Sequence, residues 1–402
     1  MESAYYRDYR IIEINKSKIC KMNFLTKILK HFWLVIKLLI CIFPPFMGVL
    51  GWGLLLTSCD DMEDKLKPTN ANTKAEPTML YILSEGLFNM NNSTLSSYNL
   101  KTGELTNDLF LKANKRGLGD TANDLGLYGS KLYVVVNVSS QIEVLDAKTG
   151  KSLAQIPMFG TNGVAREPRF IEFYKGKAYV CSFDGTVAKI DTTSLQIESL
   201  LQCGKNPDGI CVANNKLYVS NSGGLSFPNF ENTVSVINLS TFTEVKKIIV
   251  GMNPGRLHAD NQGDVYVVSR GNNGENPYVF QRINTVTDDL AQSFIDIQAL
   301  NFNIHNDTAY IYNYDFNKQS SWVKVFDCKT EKLISENFIT DGTEPDTPYG
   351  IDINPVNGDV YLTDSKSYTV LGDVLCFDKQ GKLKFKLRQI GLNPNKVVFG
   401  YP

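Results

Sequence analysis

The sequence predicts an all-β protein, a seven-bladed β-propeller of four-stranded blades. Two repeated patterns support this prediction. A strand-like run rich in β-branched and aromatic residues, with a Tyr near its start, occurs seven times. A hydrophobic residue followed by Asp or Asn trails each copy, and these Asx positions run from Asn99 to Asp378 in six steps of about 46 residues. A repeat of this length made of short strands is typical of propeller blades.

The N-terminal segment indicates export. Basic residues such as Lys27 and Lys30 precede a largely apolar run from Leu38 to Leu56, and small residues then lead to Cys59. The tetrad at 56–59 resembles the lipobox of bacterial lipoproteins, in which the Cys is lipidated. We therefore predict a signal peptide at 1–58, lipidation at Cys59 and a lipid anchor in the outer membrane. A transmembrane anchor is the alternative, because the apolar run is nearly long enough to span a bilayer.

Three further features concern the N-terminal region. An acidic cluster at 60–64 resembles the signal that sends lipoproteins of the Bacteroidota to the outer face of the outer membrane, so we expect cell-surface exposure. Residues 59–78 form a polar, Pro-containing tether. Residues 1–21 are polar and Met22 is the better start, which indicates an over-long first segment.

Each repeat supplies four strand-like segments. The first follows a Pro in several repeats, and Pro suits the start of a strand because no backbone donor is needed there. The second contains the Tyr, the third ends at an Asx residue that can cap its own turn, and the fourth carries Lys on an exposed edge. Little helix is expected. The predicted inner strands are EPRFIEF (167–173), NPDGICV (206–212), NPGRLHA (253–259) and TPYGIDI (347–353), and, without Pro, TANDLGL (121–127) and IQALNFN (297–303).

The two ends of the repeat region predict ring closure. The first Tyr strand, at 79–85, has no inner strand before it, whereas the chain finishes with NPNKVVF (393–399), which matches the inner-strand pattern. We expect this segment to insert into the first blade, so that no radial edge stays open. The propeller domain is predicted to span residues 79–402.

Composition and motifs argue against several function classes. The chain has 41 Lys and Arg against 42 Asp and Glu, a net charge of −1, and no basic patch interleaved with aromatic residues. Nucleic-acid binding is therefore not expected. Only His258 and His305 follow the predicted signal, and neither lies in a metal-binding or nucleophile motif. We expect no catalytic residues, no metal ligands and no cofactor.

Carboxylates in the predicted inner strands keep an enzyme open as an alternative. Glu172, Asp208, Asp260 and Asp352 can converge on the central channel, where they would either hold Ca²⁺, as in lactonase-type propellers, or simply line a hydrated tunnel. Five cysteines follow Cys59, and buried free thiols are favoured over a Cys203–Cys211 disulfide. These cysteines are Cys181, Cys203, Cys211, Cys328 and Cys376.

One face of the predicted propeller is a candidate binding face. In propellers, the loops that follow the Tyr strands and those that lead into the inner strands share a face. Here these loops are long and mix aromatic residues with Asn and Arg, which suits a bulky polar ligand. Asn and Gly alone would explain turns, but large aromatic side chains in loops indicate an interaction surface. The candidate ligand-binding residues are Asn123, Arg169, Asp208, Asn221, Phe227, Phe230, Arg256, Arg270, Tyr278, Tyr314, Trp322, Tyr349 and Tyr368.

The repeat pattern over 79–401 resembles the YncE-type seven-bladed propellers. With the lipobox and acidic cluster, the chain resembles the BtuG-like surface lipoproteins of the Bacteroidota. That resemblance implies a non-enzymatic protein that captures a corrinoid (vitamin B12) or a similar nutrient on its loop-rich face. It also implies a TonB-dependent outer-membrane transporter as the partner that receives the ligand. A glycan- or protein-binding propeller and a metal-dependent lactonase- or lyase-type enzyme remain the alternatives.

Overall fold

A computed structural model describes residues 75–272, 276–315 and 318–401. The predicted signal at 1–58, Cys59 and most of the tether lie outside the described residues. The described chain forms seven four-stranded antiparallel sheets, which confirms the predicted propeller. It contains one short helix, α1 (Leu109–Asn114). No helix within these ranges has the length and apolar character needed to cross a bilayer.

The strands follow the chain blade by blade. Blades 1 to 3 contain β1 (Met79–Ser84), β2 (Thr94–Asn99) and β3 (Leu105–Thr106); β4 (Ala122–Tyr128), β5 (Lys131–Val136), β6 (Gln141–Asp146) and β7 (Ser152–Pro157); and β8 (Pro168–Tyr174), β9 (Lys177–Ser182), β10 (Thr186–Asp191) and β11 (Ile197–Gln202).

Blades 4 to 7 repeat the same order. They contain β12 (Pro207–Ala213), β13 (Lys216–Asn221), β14 (Thr233–Asn238) and β15 (Thr243–Ile249); β16 (Pro254–Ala259), β17 (Val265–Ser269), β18 (Val279–Asn284) and β19 (Asp289–Phe294); β20 (Asn301–His305), β21 (Thr308–Asp315), β22 (Ser320–Asp327) and β23 (Lys332–Ser335); and β24 (Pro348–Ile353), β25 (Val360–Asp364), β26 (Leu371–Phe377) and β27 (Leu383–Leu392).

The last strand, β28 (Pro394–Gly400), closes the ring. It pairs antiparallel with β1, from Met79 opposite Gly400 to Ser84 opposite Pro394, and supplies the inner strand that blade 1 would otherwise lack. The inner strands contact one another in the cyclic order β28, β4, β8, β12, β16, β20, β24 and back to β28. The predicted insertion of the C-terminus into the first blade is confirmed.

The hydrophobic core is divided among the seven junctions between blades. Each junction holds one cluster of buried side chains drawn from two neighbouring sheets. This arrangement follows from the alternation of side chains along a strand, since each blade must bury both of its faces. The seven repeated tyrosines are all buried within these clusters.

Tyrosine and Asx repeats act together across the junctions. Four repeated Tyr hydroxyls donate to groups in the turn after the Asx residue of the next blade, which links neighbouring sheets. The pairs are Tyr81 to Ala147 O (2.5 Å), Tyr133 to Thr192 O (3.4 Å), Tyr218 to Asp288 Oδ1 (2.6 Å) and Tyr266 to Cys328 O (2.9 Å). The seven Asx side chains also accept backbone N–H groups of their own turns, as predicted.

Removing one of these hydroxyls should weaken the fold measurably. Tyr266→Phe deletes the hydrogen bond to Cys328 and leaves that carbonyl without this donor, so we expect a loss of about 0.5–1.5 kcal/mol in unfolding free energy. Tyr310→Phe is the matched control, because the Tyr310 hydroxyl has no hydrogen-bond partner among the described residues. Urea denaturation compares the two variants. Equal losses would show that the interblade hydrogen bond contributes nothing.

Candidate functional site

A pocket opens at one end of the central channel, where the inner strands begin. It encloses about 730 Å³ of space, including its solvent-filled mouth. The pocket is lined by Glu85, Asn123, Arg169, Phe170, Asp208, Arg256, Arg270, Leu300, Asn301, Tyr312, Pro348, Tyr349, Tyr368 and Asn395.

β-Bulges aim the inner-strand side chains at this pocket. In six of the seven inner strands, the ladder to the Tyr strand skips one or two residues directly after the strand's first residue. A bulge of this kind reorients the skipped side chain, and bulges are common beside functional sites. In β20, by contrast, the pairing is regular from Asn301 onward. The skipped residues that line the pocket are Asn123, Arg169, Asp208, Arg256, Tyr349 and Asn395.

The residue before most of these inner strands has a left-handed backbone. Its φ lies between 49° and 60° before β4, β8, β12, β16 and β28, and three of the five residues are Asn: Asn206, Asn253 and Asn393. Asn tolerates this conformation better than other residues with a side chain. The Asn-Pro pairs in the sequence therefore mark the sharp turn into the channel.

Asp208 forms a buried ionic centre in the pocket wall. Its Oδ1 accepts from Nε of Arg169 at 2.7 Å, and its Oδ2 accepts from Nη2 of Arg270 at 3.0 Å. Arg169 also donates to Asn123. All three members of the triad are buried. Burial raises the pKa of Asp208 to about 6, although both guanidinium groups act to lower it.

Arg256 is bound differently from the other two arginines. Its guanidinium carbon lies 3.7 Å from the ring centre of Phe170, a cation–π contact across the channel mouth. Among the described residues it has no hydrogen-bond acceptor and no ion-pair partner within 4.0 Å. Its planar N–H donors therefore remain available to a ligand or to water.

The opposite side of the pocket is formed by a carboxylate and aromatic rings. Glu85 accepts hydrogen bonds from the Tyr349 hydroxyl and from Nδ2 of Asn123, the latter at 3.3 Å. Tyr349 packs edge-on against Tyr368, with ring centres 5.8 Å apart. Burial raises the pKa of both tyrosines well above the usual range, so their hydroxyls stay protonated at neutral pH. Tyr368 has a φ of 65°, an unusual backbone for a residue of its size.

Farther along the inner strands, polar groups pair with one another. Lys396 lies 2.5 Å from Asp352 Oδ1, and the other carboxylate oxygen accepts the backbone N–H of Val397 at 2.7 Å. Asp124 is fully buried and accepts the N–H of Ile171 at 3.1 Å. Burial raises the pKa of Asp124, and Arg256 and Lys396 act against that rise.

The structure brings about half of the sequence-predicted residues into this one pocket. They are Asn123, Arg169, Asp208, Arg256, Arg270, Tyr349 and Tyr368. Cys59 lies outside the described residues. Asn221, Phe227, Phe230, Tyr278, Tyr314 and Trp322 do not line the pocket.

Packing explains where the remaining aromatic residues lie. Tyr278 and Tyr314 pack on the cluster between blades 6 and 7, and Trp322 packs on the cluster between blades 5 and 6. Phe230 is buried against Phe227, whereas Phe227 itself is 56% exposed on its loop. These side chains, apart from Phe227, support the walls of the propeller rather than the surface of the pocket.

Asn221 points away from the pocket because of strand alternation. The pocket residues Glu85 and Arg270 each lie four residues after the repeated Tyr of their strand, whereas Asn221 lies three residues after Tyr218. A shift of one residue turns a side chain to the opposite face. Asn221 is fully buried and donates to Thr233 at 2.7 Å.

Sequence reasoning missed several lining residues, above all Glu85, Phe170 and Tyr312. A signal for two of them was present, because Glu85 and Tyr312 lie four and two residues after a repeated Tyr, on the same strand face as Arg270. Phe170 directly follows Arg169 in the bulge, and no periodic pattern separates it from core residues.

Of the four inner-strand carboxylates considered in the sequence analysis, Asp208 lines the pocket, whereas Glu172, Asp260 and Asp352 do not. Asp352 pairs with Lys396, and Asp260 accepts a backbone N–H from Asp264 at 2.9 Å. Within the described ranges, no group of three or more His, Cys, Asp or Glu side chains is arranged to hold a metal ion. The five cysteines after the predicted signal are free thiols, as favoured, and Cys203 alone is only partly buried.

Comparison with solved structures shows the same general fold. A quinonprotein alcohol dehydrogenase-like protein from Bacteroides thetaiotaomicron has 15% identity and a TM-score of 0.54, with 80% of this chain and 78% of that chain covered. Hydrazine synthase from Kuenenia stuttgartiensis has 16% identity and a TM-score of 0.52, with 62% and 74% covered. Dihydro-heme d1 dehydrogenase NirN, solved in complex with DHE, has 12% identity and a TM-score of 0.53, with 83% and 77% covered.

These structures include enzymes, and at such low identity they share only the propeller fold with this chain. A search of curated protein sequences found no significant match. A family profile does match, and it covers residues 79–390, nearly the whole of the propeller. The chain therefore belongs to the family described as Domain of unknown function (DUF5074).

Proposed function

We propose that this protein is a non-enzymatic surface lipoprotein that captures a bulky polar nutrient at the channel-mouth pocket. A corrinoid is our leading candidate, and a TonB-dependent outer-membrane transporter is the proposed recipient. The observation that carries the proposal is the pocket itself, in which guanidinium donors, a carboxylate and aromatic rings from different blades meet at one mouth. Convergent polar groups among aromatic walls are typical of ligand sites.

The state of the pocket's carboxylates supports binding over catalysis. Asp208 is held by two guanidinium groups, and Glu85 accepts from Tyr349 and Asn123. A general base must reach its substrate's proton directly or through one water. Carboxylates that are already engaged by buried donors instead orient the groups around them, so we assign both to pocket architecture.

The direction in which the chain enters the propeller supports presentation of the pocket to the medium. β1 starts at Met79, opposite Gly400, and runs toward Glu85 in the pocket. The tether therefore joins the propeller on the face opposite the pocket. With an anchor at Cys59, this arrangement would leave the mouth able to face away from the membrane.

A protein- or glycan-binding role is the second candidate. Loops on the pocket face carry exposed apolar side chains, notably Met90, Leu225 and Phe227, which are 56–61% exposed. Exposed apolar groups on one face are typical of interaction surfaces. In the leading proposal, the same loops would contact the part of a large ligand that stays outside the pocket, or the transporter.

Labelled cyanocobalamin tests the proposal in intact cells. Cells that produce the full chain are expected to retain the label in their membrane fraction above the level of cells without it, because the anchored pocket binds it. Cys59→Ala should keep the binding but shift the protein and the label into the soluble fraction. Retention no greater than that of cells without the protein would refute the corrinoid assignment.

A further inference from the structure

Arg256 is the one pocket arginine whose N–H groups form no hydrogen bond with another described residue. Arg169 and Arg270 both bind Asp208, whereas Arg256 only stacks on Phe170. Stacking orients a guanidinium group but satisfies none of its five N–H donors. The side chain is partly buried in the pocket wall, so these donors need an acceptor that comes from the pocket space.

The charges around Arg256 leave its positive charge weakly balanced. The pocket lining holds three arginines and two acids, and both acids are bonded to other groups. Arg256 acts to lower the pKa of one buried acid outside the lining, Asp124, and Lys396 acts in the same direction. The Oδ2 atom of Asp124 accepts the backbone N–H of Ile171. No carboxylate among the described residues forms an ion pair with Arg256.

The surroundings of Arg256 also restrict the shape of a partner. Phe170 offers a flat ring on one side, and Tyr349 and Tyr368 stand edge-to-face elsewhere on the wall. A planar two-oxygen group matches the fork of a guanidinium group and binds it through two parallel hydrogen bonds. An attached ring or other apolar body would lie against the aromatic side chains.

We propose that the pocket's ligand carries an anionic oxygen group, a carboxylate or a phosphate, which Arg256 binds through paired hydrogen bonds at the channel mouth. This inference rests on the proposed capture function and names the chemical class of the captured molecule. The nucleotide-loop phosphate of a complete corrinoid would meet the requirement, and so would a free aromatic carboxylate.

Simple anions test the site without knowledge of the natural ligand. The full chain is titrated by calorimetry at pH 7 with benzoate, with inorganic phosphate and with benzamide, the uncharged counterpart of benzoate. We expect at least one anion to bind, and benzamide to bind at least about tenfold more weakly than the anion, a difference of about 1.4 kcal/mol. Binding of benzoate alone indicates a carboxylate ligand, and binding of phosphate alone a phosphate ligand.

Variants then assign the binding to Arg256. Arg256→Gln should weaken anion binding at least about tenfold. Arg256→Lys should restore only part of it, because lysine keeps the charge but loses the fork. Arg116→Gln is the matched control, since Arg116 pairs with Glu143 away from the pocket and is 41% exposed. Thermal melting confirms that the variants are folded.

Three outcomes would overturn the inference: no binding of either anion, benzamide affinity equal to that of the tighter-binding anion, or unchanged anion affinity in Arg256→Gln. The comparison of the anions with benzamide needs no variant, so it remains decisive if Arg256→Gln is unstable. Cells that retain cyanocobalamin while the anions fail to bind would leave the capture proposal intact and refute this one. Anion binding without cyanocobalamin retention would leave the anion-site inference intact and refute the corrinoid assignment.

Discussion

Removal of residues 393–402 is expected to abolish the folded propeller. The deletion takes away β28 and its register of six residue pairs with β1. It also removes Asn393, whose carbonyl accepts the N–H of Glu85 at 2.9 Å and whose side chain donates to Gly86 O at 2.9 Å. Blade 1 would be left with three strands and an open inner edge against blades 2 and 7.

The size of this effect follows from simple magnitudes. Each lost backbone hydrogen bond costs about 0.5–1.5 kcal/mol, and burial of the β28 side chains adds to the loss. Domains are stable by only about 5–15 kcal/mol in total, so the deletion should exhaust most or all of that margin. Circular dichroism during heating should show no cooperative transition for the truncated chain.

A shorter deletion serves as the control for ring closure. Loss of residues 401–402 leaves the whole of β28 in place, together with the hydrogen bond from Thr78 N to Gly400 O at 2.8 Å. This variant should melt like the full chain. A cooperative transition near the normal temperature in the chain that ends at residue 392 would show that β28 is dispensable.

Phe280→Ala is expected to be the most damaging single substitution in the junction between blades 5 and 6. The Phe280 ring is fully buried, and its centre lies 5.3 Å from that of Tyr266, 5.0 Å from Phe302 and 5.5 Å from Phe326. Truncation of such a side chain removes its contacts and leaves a cavity, which costs about 3–5 kcal/mol of unfolding free energy.

Urea denaturation of two phenylalanine variants measures this effect. Phe227→Ala is the matched control, because the same atoms are removed from a ring that is 56% exposed, and its cost should stay within about 0.5 kcal/mol. Phe280→Leu should fall between the two, since it keeps most of the buried volume. Similar losses for Phe280→Ala and Phe227→Ala would mean that the aromatic junction is not a major source of stability.

The fold was predictable because its signals are local and repeated. The Tyr strands, the Asx turns and the Pro at the start of inner strands each reflect a backbone or packing requirement that recurs in every blade. Even the long-range pairing of β28 with β1 could be predicted from NPNKVVF, since a ring with one inner strand missing must be completed by the only unpaired copy of that pattern.

The candidate site was predictable only where it follows the repeat. Asn123, Arg169 and Asp208 lie at the same place in their strands, and the bulges send all three to the pocket. The loop aromatics follow no such rule. Trp322 and Tyr278 occur beside polar turn residues in the sequence, yet packing against neighbouring blades places both in the walls.

The sequence by itself determined the number of blades, the closing strand and the residues near the start of the inner strands, because these depend on the repeating backbone pattern. Only the tertiary structure decided how charges pair across the channel: Asp208 binds both Arg169 and Arg270, while Arg256 rests on Phe170 with its donors uncommitted. These partners come from different blades, so their distances are set by the curvature of the ring and the bulges, which no local pattern in the chain encodes.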